Sequence, residues 1–413
     1  MSVSAGRRIL PQFCRSHLKK FPAQTGVVKF SSTAESTSPN LNCKNVPTSE
    51  RISAAVLKDF DSPLVIDQIE IPKISQDNEV VIDVAYCALN TCDILLAKQL
   101  YTVKPCLPMV LGQELVGKLV QVGKDAQDCN YNVGDKVIAL NKELYGGLSE
   151  QCIAKFDDIW KIPSEFKSID AIGLLDDYIC ALLAIESKIN LQEGDIIIIN
   201  VGMSSIGLAA VDLATNVYKA EVIAVCATEE GADLARGKGN VLASFKYKDS
   251  KLLKQLQELA TDKGIEAIFA DQEGEHLKNI LDCFTSIYKS GATMKDLLRD
   301  DSFAVVVHHL SSKGRAVIAG STAVMTESDS NRFSVAGFNL KEYKELKPDK
   351  YREAGEDVIQ FFEDGLIKPT CALTAGLCNV NDAVDHILKS KSPGKVIIDV
   401  KNKDAKVEKV EKQ

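Results

Sequence analysis

Residues 195–227, DIIIINVGMSSIGLAAVDLATNVYKAEVIAVCA, decide how this chain folds. The stretch opens on four consecutive isoleucines, a run of strand length with no helical spacing, as expected of a strand covered on both faces. A short glycine-containing loop follows, then the alanine-rich segment IGLAAVDLATNVYK with helical spacing, then a second apolar strand, AEVIAVCA. Strand, turn, helix and strand in this order form a crossover unit of a parallel sheet. The alternation continues downstream. EEGADLARGKG reads as a helix ending in glycine, VLASFKY as a strand, SKLLKQLQELATDKG as an amphipathic helix, and IEAIFAD and GRAVIAG (314–320) as strands. A late helix is expected over 353–365, then a short helix in DAVDHILKS and a strand in KVIIDV.

Upstream the texture differs. From Arg51, the segments ISAAVLKDF, PLVIDQIEI, EVVIDVAYCAL, VGKLVQVGKDA and VGDKVIAL are short strands between turn signals, running to about residue 162. That spacing predicts a compact β-barrel-like unit. SIDAIGLLDDYICALLAIESKI then has the i, i+3, i+4 spacing of a buried helix.

The loop NVGMSSIGLAA (200–210) sits between strand and helix, the context of a dinucleotide-binding turn. Such a turn aims backbone N–H groups and the positive end of a helix at a pyrophosphate. Gly202 and Gly207 are present, with Ser204 and Ser205 between them and Ile206 opening the helix. Gly207 serves helix–strand packing. Serine is small and its hydroxyl can donate to a phosphate, so binding is compatible with the loop; the other reading is a turn kept for folding after a ligand was lost. After the second strand, Cys226, Ala227 and Thr228 are neutral where an NAD enzyme usually places an acid, which leaves room for the 2′-phosphate of NADPH. Tyr247 and Lys248, at the end of the next strand, could reach that phosphate or the adenine; the plainer reading of Lys248 is a solvated lysine.

A length of 413 residues suggests two or three domains. No apolar run approaches the roughly 18 residues of a membrane-spanning helix, and a net charge of −8 argues against a nucleic-acid partner. Residues 1–34 carry Arg7, Arg8, Arg15, Lys19, Lys20 and Lys29 and no acid, the composition of a mitochondrial transit peptide, with KFSST (29–33) as a cleavage neighbourhood. The alternative is a disordered basic leader. Residues 35–50 are polar, contain two prolines and read as a linker. The final segment, 401–413, reads as a solvated, mobile tail. Twelve cysteines are scattered without a C-x-x-C pair, which gives no structural zinc lobe and fits a reducing mitochondrial matrix or cytosol.

Together CALNTCD (87–93), YTVKPCLPMVLGQELVG (101–117), VGDKVIAL (133–140), GGLSEQC (146–152), GRAVIAG and SPGKVIIDV (392–400) resemble the medium-chain dehydrogenase/reductases over about residues 51–400. The resemblance is to their zinc-free quinone oxidoreductase (zeta-crystallin-like) branch, and within it to mitochondrial quinone oxidoreductase-like proteins. It implies an α/β chain with a GroES-like catalytic domain (51–170), a Rossmann domain (171–370, with an insertion at about 276–302) and a return to the catalytic domain over 371–400. A homodimer through edge pairing of Rossmann sheets is also implied. In zinc-dependent relatives the motif G-H-E-x-x-G binds metal through its histidine; here LGQELVG (111–117) places Gln113 there, an amide and a poor zinc ligand. Residues 51–162 contain no histidine, so no metal site is expected.

The family's zinc-free chemistry is hydride transfer from NADPH to a quinone or an α,β-unsaturated carbonyl, with the protein positioning the reactants. The resemblance makes Asn90 and Tyr101 the candidates near the nicotinamide; the plainer readings are a strand-end amide and a packing ring. Glu114 and Asp93 read as structural. Departures from the family pattern fall on the cofactor path: Ser204 and Ser205 replace glycines, Cys180 replaces a threonine at a cofactor-facing turn, QEG (272–274) replaces VGG after the fourth strand, and Leu111 replaces a proline. Gly320 closes the remaining cofactor-side strand. Two readings stay open: a mitochondrial NADPH-dependent quinone or enone reductase, and a non-catalytic relative acting as a regulatory or scaffolding protein. A cofactor-binding redox sensor with little turnover lies between them.

Overall fold

The structure, a computed structural model, describes residues 51–99, 105–202, 205–246, 265–271, 310–319, 325–327, 333–389 and 393–410. The basic leader, the linker, the expected helix at 250–264 and the insertion at about 276–302 lie outside the described residues.

The first unit is β-rich. Its elements are β1 (Arg51–Leu57), β2 (Val65–Glu70), β3 (Glu79–Leu89), α1 (Thr91–Ala97), β4 (Met109–Val110), β5 (Glu114–Val122), α2 (Lys124–Asp128), β6 (Lys136–Leu140), β7 (Gln151–Lys155) and β8 (Ile159–Lys161). The single barrel-like unit expected from strand spacing is built as two sheets. One has the order β2-β1-β4; the other contains β3, β5, β6 and β8, with β7 paired to β3. The long β3 is buried along most of its length because it is paired on both sides, and its apolar residues enter two different cores.

The second unit follows α3 (Ser168–Ala171) and α4 (Leu175–Ala184), and contains β9 (Ile196–Val201), α5 (Ile206–Asp212), β10 (Glu221–Cys226), α6 (Glu229–Arg236), β11 (Val241–Lys246), β12 (Ile265–Asp271), β13 (Leu310–Ala319), β14 (Met325–Glu327) and β15 (Phe333–Phe338). Among the described residues these strands form one sheet in the order β11-β10-β9-β12-β13-β15-β14. Every pair is parallel except β14 with β15. The isoleucines of β9 lie at its centre, buried from both sides. The strand order reverses at β9, and in open parallel sheets ligands settle beyond the carboxyl ends of the strands at that reversal.

Two helices follow, α7 (Leu340–Leu346) and α8 (Pro348–Glu363), then β16 (Cys371–Gly376), α9 (Val380–Leu388), β17 (Lys395–Asp399) and β18 (Glu408–Lys409). Here α8 starts five residues before the expected helix, at a proline, which suits a first helical position because it has no N–H to satisfy. β17 pairs antiparallel with β3 and carries β16 and β18 into the sheet of the first unit. Leu373, Ala375, Val396 and Ile398 thereby complete that unit's core. The expected solvated tail is instead tied down over its first residues: Gly376 donates to Ala405 O at 2.9 Å, Cys378 to Lys403 O at 2.9 Å, and β18 pairs with β16.

A second joint between the units is made by α7 and α8. Lys344 Nζ lies 2.8 Å from Asp158 and 3.1 Å from Glu143. The Arg352 guanidinium stacks 4.6 Å from the Trp160 ring centre, and Trp160 Nε1 donates to Arg352 O at 3.2 Å. Gly355 is there because the indole lies against its Cα; a Cβ would fall 2.6 Å from Trp160 Cζ2. Trp160 is fully buried and cannot yield freely. Gly355→Ala is therefore expected to destabilise the protein by about 1–3 kcal/mol, as overpacking does, despite alanine's better helix propensity. The urea midpoint checks this, and an unchanged or raised midpoint would show that the indole can move aside.

Candidate functional site

The end of β3, the start of β5, the start of α4 and the start of β17 converge on one buried ammonium. Val396 of β17 stands opposite Leu89 of β3, so the residues next in line, Lys395 and Asn90, meet. Lys395 is 2% exposed. Its Nζ lies 2.9 Å from Glu114 Oε2 and 2.9 Å from Asp177 Oδ2, and it donates to Asn90 Oδ1. Asn90 Nδ2 donates to the same Glu114 oxygen at 3.3 Å. The other Glu114 oxygen accepts from the backbone N–H groups of Leu175 (2.9 Å) and Asp176 (3.2 Å). A carboxylate from the first unit thus caps the positive end of α4 in the second. Alongside, Lys142 Nζ lies 2.5 Å from Asp176 Oδ1, and Gln113 Nε2 donates to Asp176 Oδ2 at 3.4 Å.

The electrostatics follow from this packing. Burial works against the charge on Lys395, but Asp177, Glu114 and Asp176 outweigh it and hold the ammonium well above its ordinary pKa. Burial raises Asp177; Lys395 offsets part of this, and Glu114 and Asp176 add to it. The ammonium is therefore the better-served partner of the pair, since Asp177 also faces two other carboxylates. Asp176 has burial against it too, yet Lys142 and Lys395 bring it below its ordinary value. Asp93 accepts the backbone N–H groups of Asn90 and Gly112, each at 3.0 Å. Burial still dominates there and raises its carboxyl from 3.8 to about 6.

The structure places the sequence candidates in two groups. Asn90, Cys180, Gly202, Ser205, Ile206 and Gly207 gather where β9 and α4 meet the first unit. Asn90 is 7% exposed, with both side-chain amide atoms engaged as above. Cys180 lies in the interior of α4 rather than at a turn, and burial pushes its thiol up. Ser205 immediately precedes α5. Gly207 packs α5 onto β9, since a Cβ there would fall 2.7 Å from Asn200 O. Thr228 stands at the same carboxyl edge of the sheet, one residue past Ala227, whose N–H donates to Val201 O at 3.1 Å, and it caps α6, its hydroxyl oxygen accepting from Gly231 N at 3.0 Å. Tyr101, Ser204, Tyr247, Lys248 and Gly320 lie outside the described residues.

Sequence reasoning missed Lys395, Asp177 and Lys246. The first two carried a signal: a lysine opening an apolar strand, and two adjacent acids inside an apolar helix. Lys246 stands opposite Cys226 in the β10–β11 pairing and ion-pairs Glu229 at 3.2 Å. Among the described residues, no group of three or more His, Cys, Asp or Glu side chains is disposed to hold a metal ion. A cavity of about 360 Å³ lined by Tyr131, Trp160, Lys161, Arg352 and Glu356 shares no residue with this cluster and belongs to the α8 joint.

Two outcomes follow. Lys395→Met leaves Glu114 and Asp177 facing each other without a cation, and should cost about 3–5 kcal/mol of stability in urea unfolding; a loss below about 1 kcal/mol would contradict the role given to this ion pair. Asp93 holds its proton more tightly folded than unfolded, so between its ordinary value and about 6 its contribution to stability falls as pH rises. Wild type should therefore lose up to about 3 kcal/mol relative to Asp93→Asn between about pH 4 and about pH 7. A stability difference that does not vary with pH would refute this.

Residues 76–181 match the alcohol dehydrogenase GroES-like domain family. The chain is 27% identical over 354 residues to quinone oxidoreductase-like protein 2 of Mus musculus, a match covering 84% of this chain and 92% of that one. Its fold is that of the CurK enoyl reductase, with a TM-score of 0.67 at 20% identity, covering 84% of this chain and 99% of that one. It is also that of a mycobacterial protein complexed with NADPH, with a TM-score of 0.66 at 20% identity, covering 84% and 100% of the two chains. A GroES-like unit closed by the returning strand β17, joined to a parallel sheet whose order reverses at the glycine turn, gives this chain the fold of these oxidoreductases and makes it similar over most of its length to quinone oxidoreductase-like proteins.

Proposed function

We propose that the protein is an NADPH-dependent oxidoreductase that reduces a quinone or an α,β-unsaturated carbonyl without zinc. One observation carries this reading: α4 packs against α5, the helix that follows the glycine-containing turn, and its Asp177 is joined through Lys395 to Asn90 and Glu114 of the GroES-like unit. The helix pair beside the dinucleotide-type turn is therefore tied to Asn90, one of the family's candidate substrate residues. The names of the relatives, a quinone oxidoreductase-like protein and an enoyl reductase, support the substrate class, and the mycobacterial complex supports the cofactor.

The residues present fit a dinucleotide. Gly207 lets α5 start against β9, where a side chain would strike Asn200 O. Asn200 Oδ1, at the carboxyl end of β9, is buried with no hydrogen-bond partner, an acceptor suited to a ligand hydroxyl. Cys226 to Thr228 present no acid at the end of β10, and Lys246 supplies a cation beside them for a 2′-phosphate. When bound, NADPH would supply the hydride. The chain's own part is to bind and orient: Gly202, Ser205, Ile206 and Gly207 shape the turn, Lys395 brings positive charge to it, and Cys180 forms a dry wall. Asn90 acts by holding Lys395 and Glu114 in place, and Tyr101 is the candidate hydroxyl donor to the developing oxyanion. Gln113 spends its amide on Asp176. The leader's composition supports import into the mitochondrial matrix, and a homodimer belongs to the same reading.

A second reading, a non-catalytic regulatory or scaffolding relative, is favoured by the engagement of both Asn90 amide atoms within the protein. Calorimetric titration with NADPH and NADH, followed by turnover assays with small quinones and enones, separates the two. The expected result is NADPH binding at least about tenfold tighter than NADH, about 1.4 kcal/mol, with consumption of the reduced cofactor. Absence of binding at millimolar cofactor leaves the non-catalytic reading.

A further inference from the structure

Just past the end of β10, one carboxylate stands between two cations. Lys246 ends β11 opposite Cys226, and Glu229 opens α6 one residue after its cap, Thr228. Lys246 Nζ lies 3.2 Å from one Glu229 oxygen, and Arg236 Nη2 lies 3.3 Å from the other. Arg236 leaves the last turn of α6 and reaches back toward the start of the helix, as long helical side chains do. Its Nη1 donates to Ser244 Oγ of β11 at 2.7 Å, and Ser244 donates to Ala232 O at 3.1 Å, so the guanidinium is fastened between helix and strand. Lys246 first, and Arg236 after it, hold the Glu229 carboxyl below its ordinary range. All three side chains are open to solvent, with exposures of 61% for Glu229, 50% for Lys246 and 46% for Arg236. The end of the second strand is where a dinucleotide-binding sheet holds the adenosine ribose.

We propose that Arg236 joins Lys246 in binding the cofactor's 2′-phosphate, and that Glu229 holds the two cations until the phosphate displaces it, so that Glu229 grades the choice of NADPH over NADH. The inference rests on the NADPH reading given above and deepens it. The strengths of the competing contacts decide the exchange. An exposed carboxylate paired with an exposed cation is worth little, because water and salt screen it. A phosphate carries more charge and more acceptor oxygens, and a guanidinium meets it with charge-assisted, paired hydrogen bonds. Arg236 and Lys246 therefore pass from the carboxylate to the phosphate at small cost, and Glu229 turns to solvent. Its negative charge stays close by and still opposes the phosphate. A cofactor with a plain 2′-hydroxyl leaves Glu229 in possession of both cations and draws no affinity from them.

The test is calorimetric titration of NADPH and of NADH into the full chain as wild type, Glu229→Gln, Arg236→Met and Lys246→Met, with thermal unfolding of each to establish that it is folded. Glu229→Gln keeps the shape and removes the charge; it should tighten NADPH binding by about two- to fivefold and leave NADH within about twofold. Arg236→Met and Lys246→Met should each weaken NADPH by about tenfold, again with NADH within about twofold. The ratio of the two affinities isolates the phosphate, since a general disturbance of the site moves both cofactors together. An unchanged or weaker NADPH Kd in Glu229→Gln, or equal losses for the two cofactors in Arg236→Met, overturns the proposal while leaving the cofactor reading intact. So does a loss of NADH affinity in Glu229→Gln, which would make this carboxylate the acceptor for the ribose hydroxyls. If Arg236→Met does not fold, the sign of the Glu229→Gln effect on NADPH decides. If wild type binds neither cofactor at millimolar concentration, the cofactor reading falls and this inference with it.

Discussion

Burying an ammonium costs several kcal/mol unless its surroundings return the lost hydration, and this protein meets that cost by drawing three distant segments around Lys395. Glu114 is 281 residues away in sequence and Asn90 305. Each brings a second bond of its own: Glu114 caps α4 with its other oxygen, and Asn90 donates back to Glu114. Removing Glu114 takes the acceptor from the backbone N–H groups of Leu175 and Asp176 and a carboxylate from Lys395. The position of α4 relative to β3, and so the geometry of the cleft, follows from satisfying this one charge.

The second joint, on α7 and α8, uses different physics. Arg352 stacked on Trp160 and Lys344 on Asp158 combine ring contact with charge, and the edge-on packing of Trp160 against Tyr351, with centres 5.5 Å apart, fills the space between. Two joints of unlike character hold the units together. The Lys395 cluster is polar throughout and sealed from solvent, whereas the α8 joint sets its ion pairs among packed rings.

Much of the architecture was legible because it depends on local pattern. The isoleucine run of β9 states its own burial, and the alternation after it fixes a parallel sheet. The neutral end of β10 and the small residues of the turn are visible as letters. What could not be read were elements whose stability comes from partners. β18 is two charged residues held only by β16, and β15, FSVAGF, has a glycine in its middle and forms against β13. Cys180 was expected at a turn because the family places a ligand-facing residue there, but helical spacing runs straight through it.

The site divides in the same way. Gly207, Gln113 and the absence of histidine from residues 51–162 are properties of the sequence, and they fix the type of turn and rule out histidine as a ligand there. That Asn90 would spend its amide on a lysine 305 residues later, and that Asp177 would pair with the same lysine, was decided by tertiary structure. Side-chain type sets what a residue can do, but a buried charge takes whichever partners the fold brings within about 3 Å, and the strand pairing of β17 with β3 chose them.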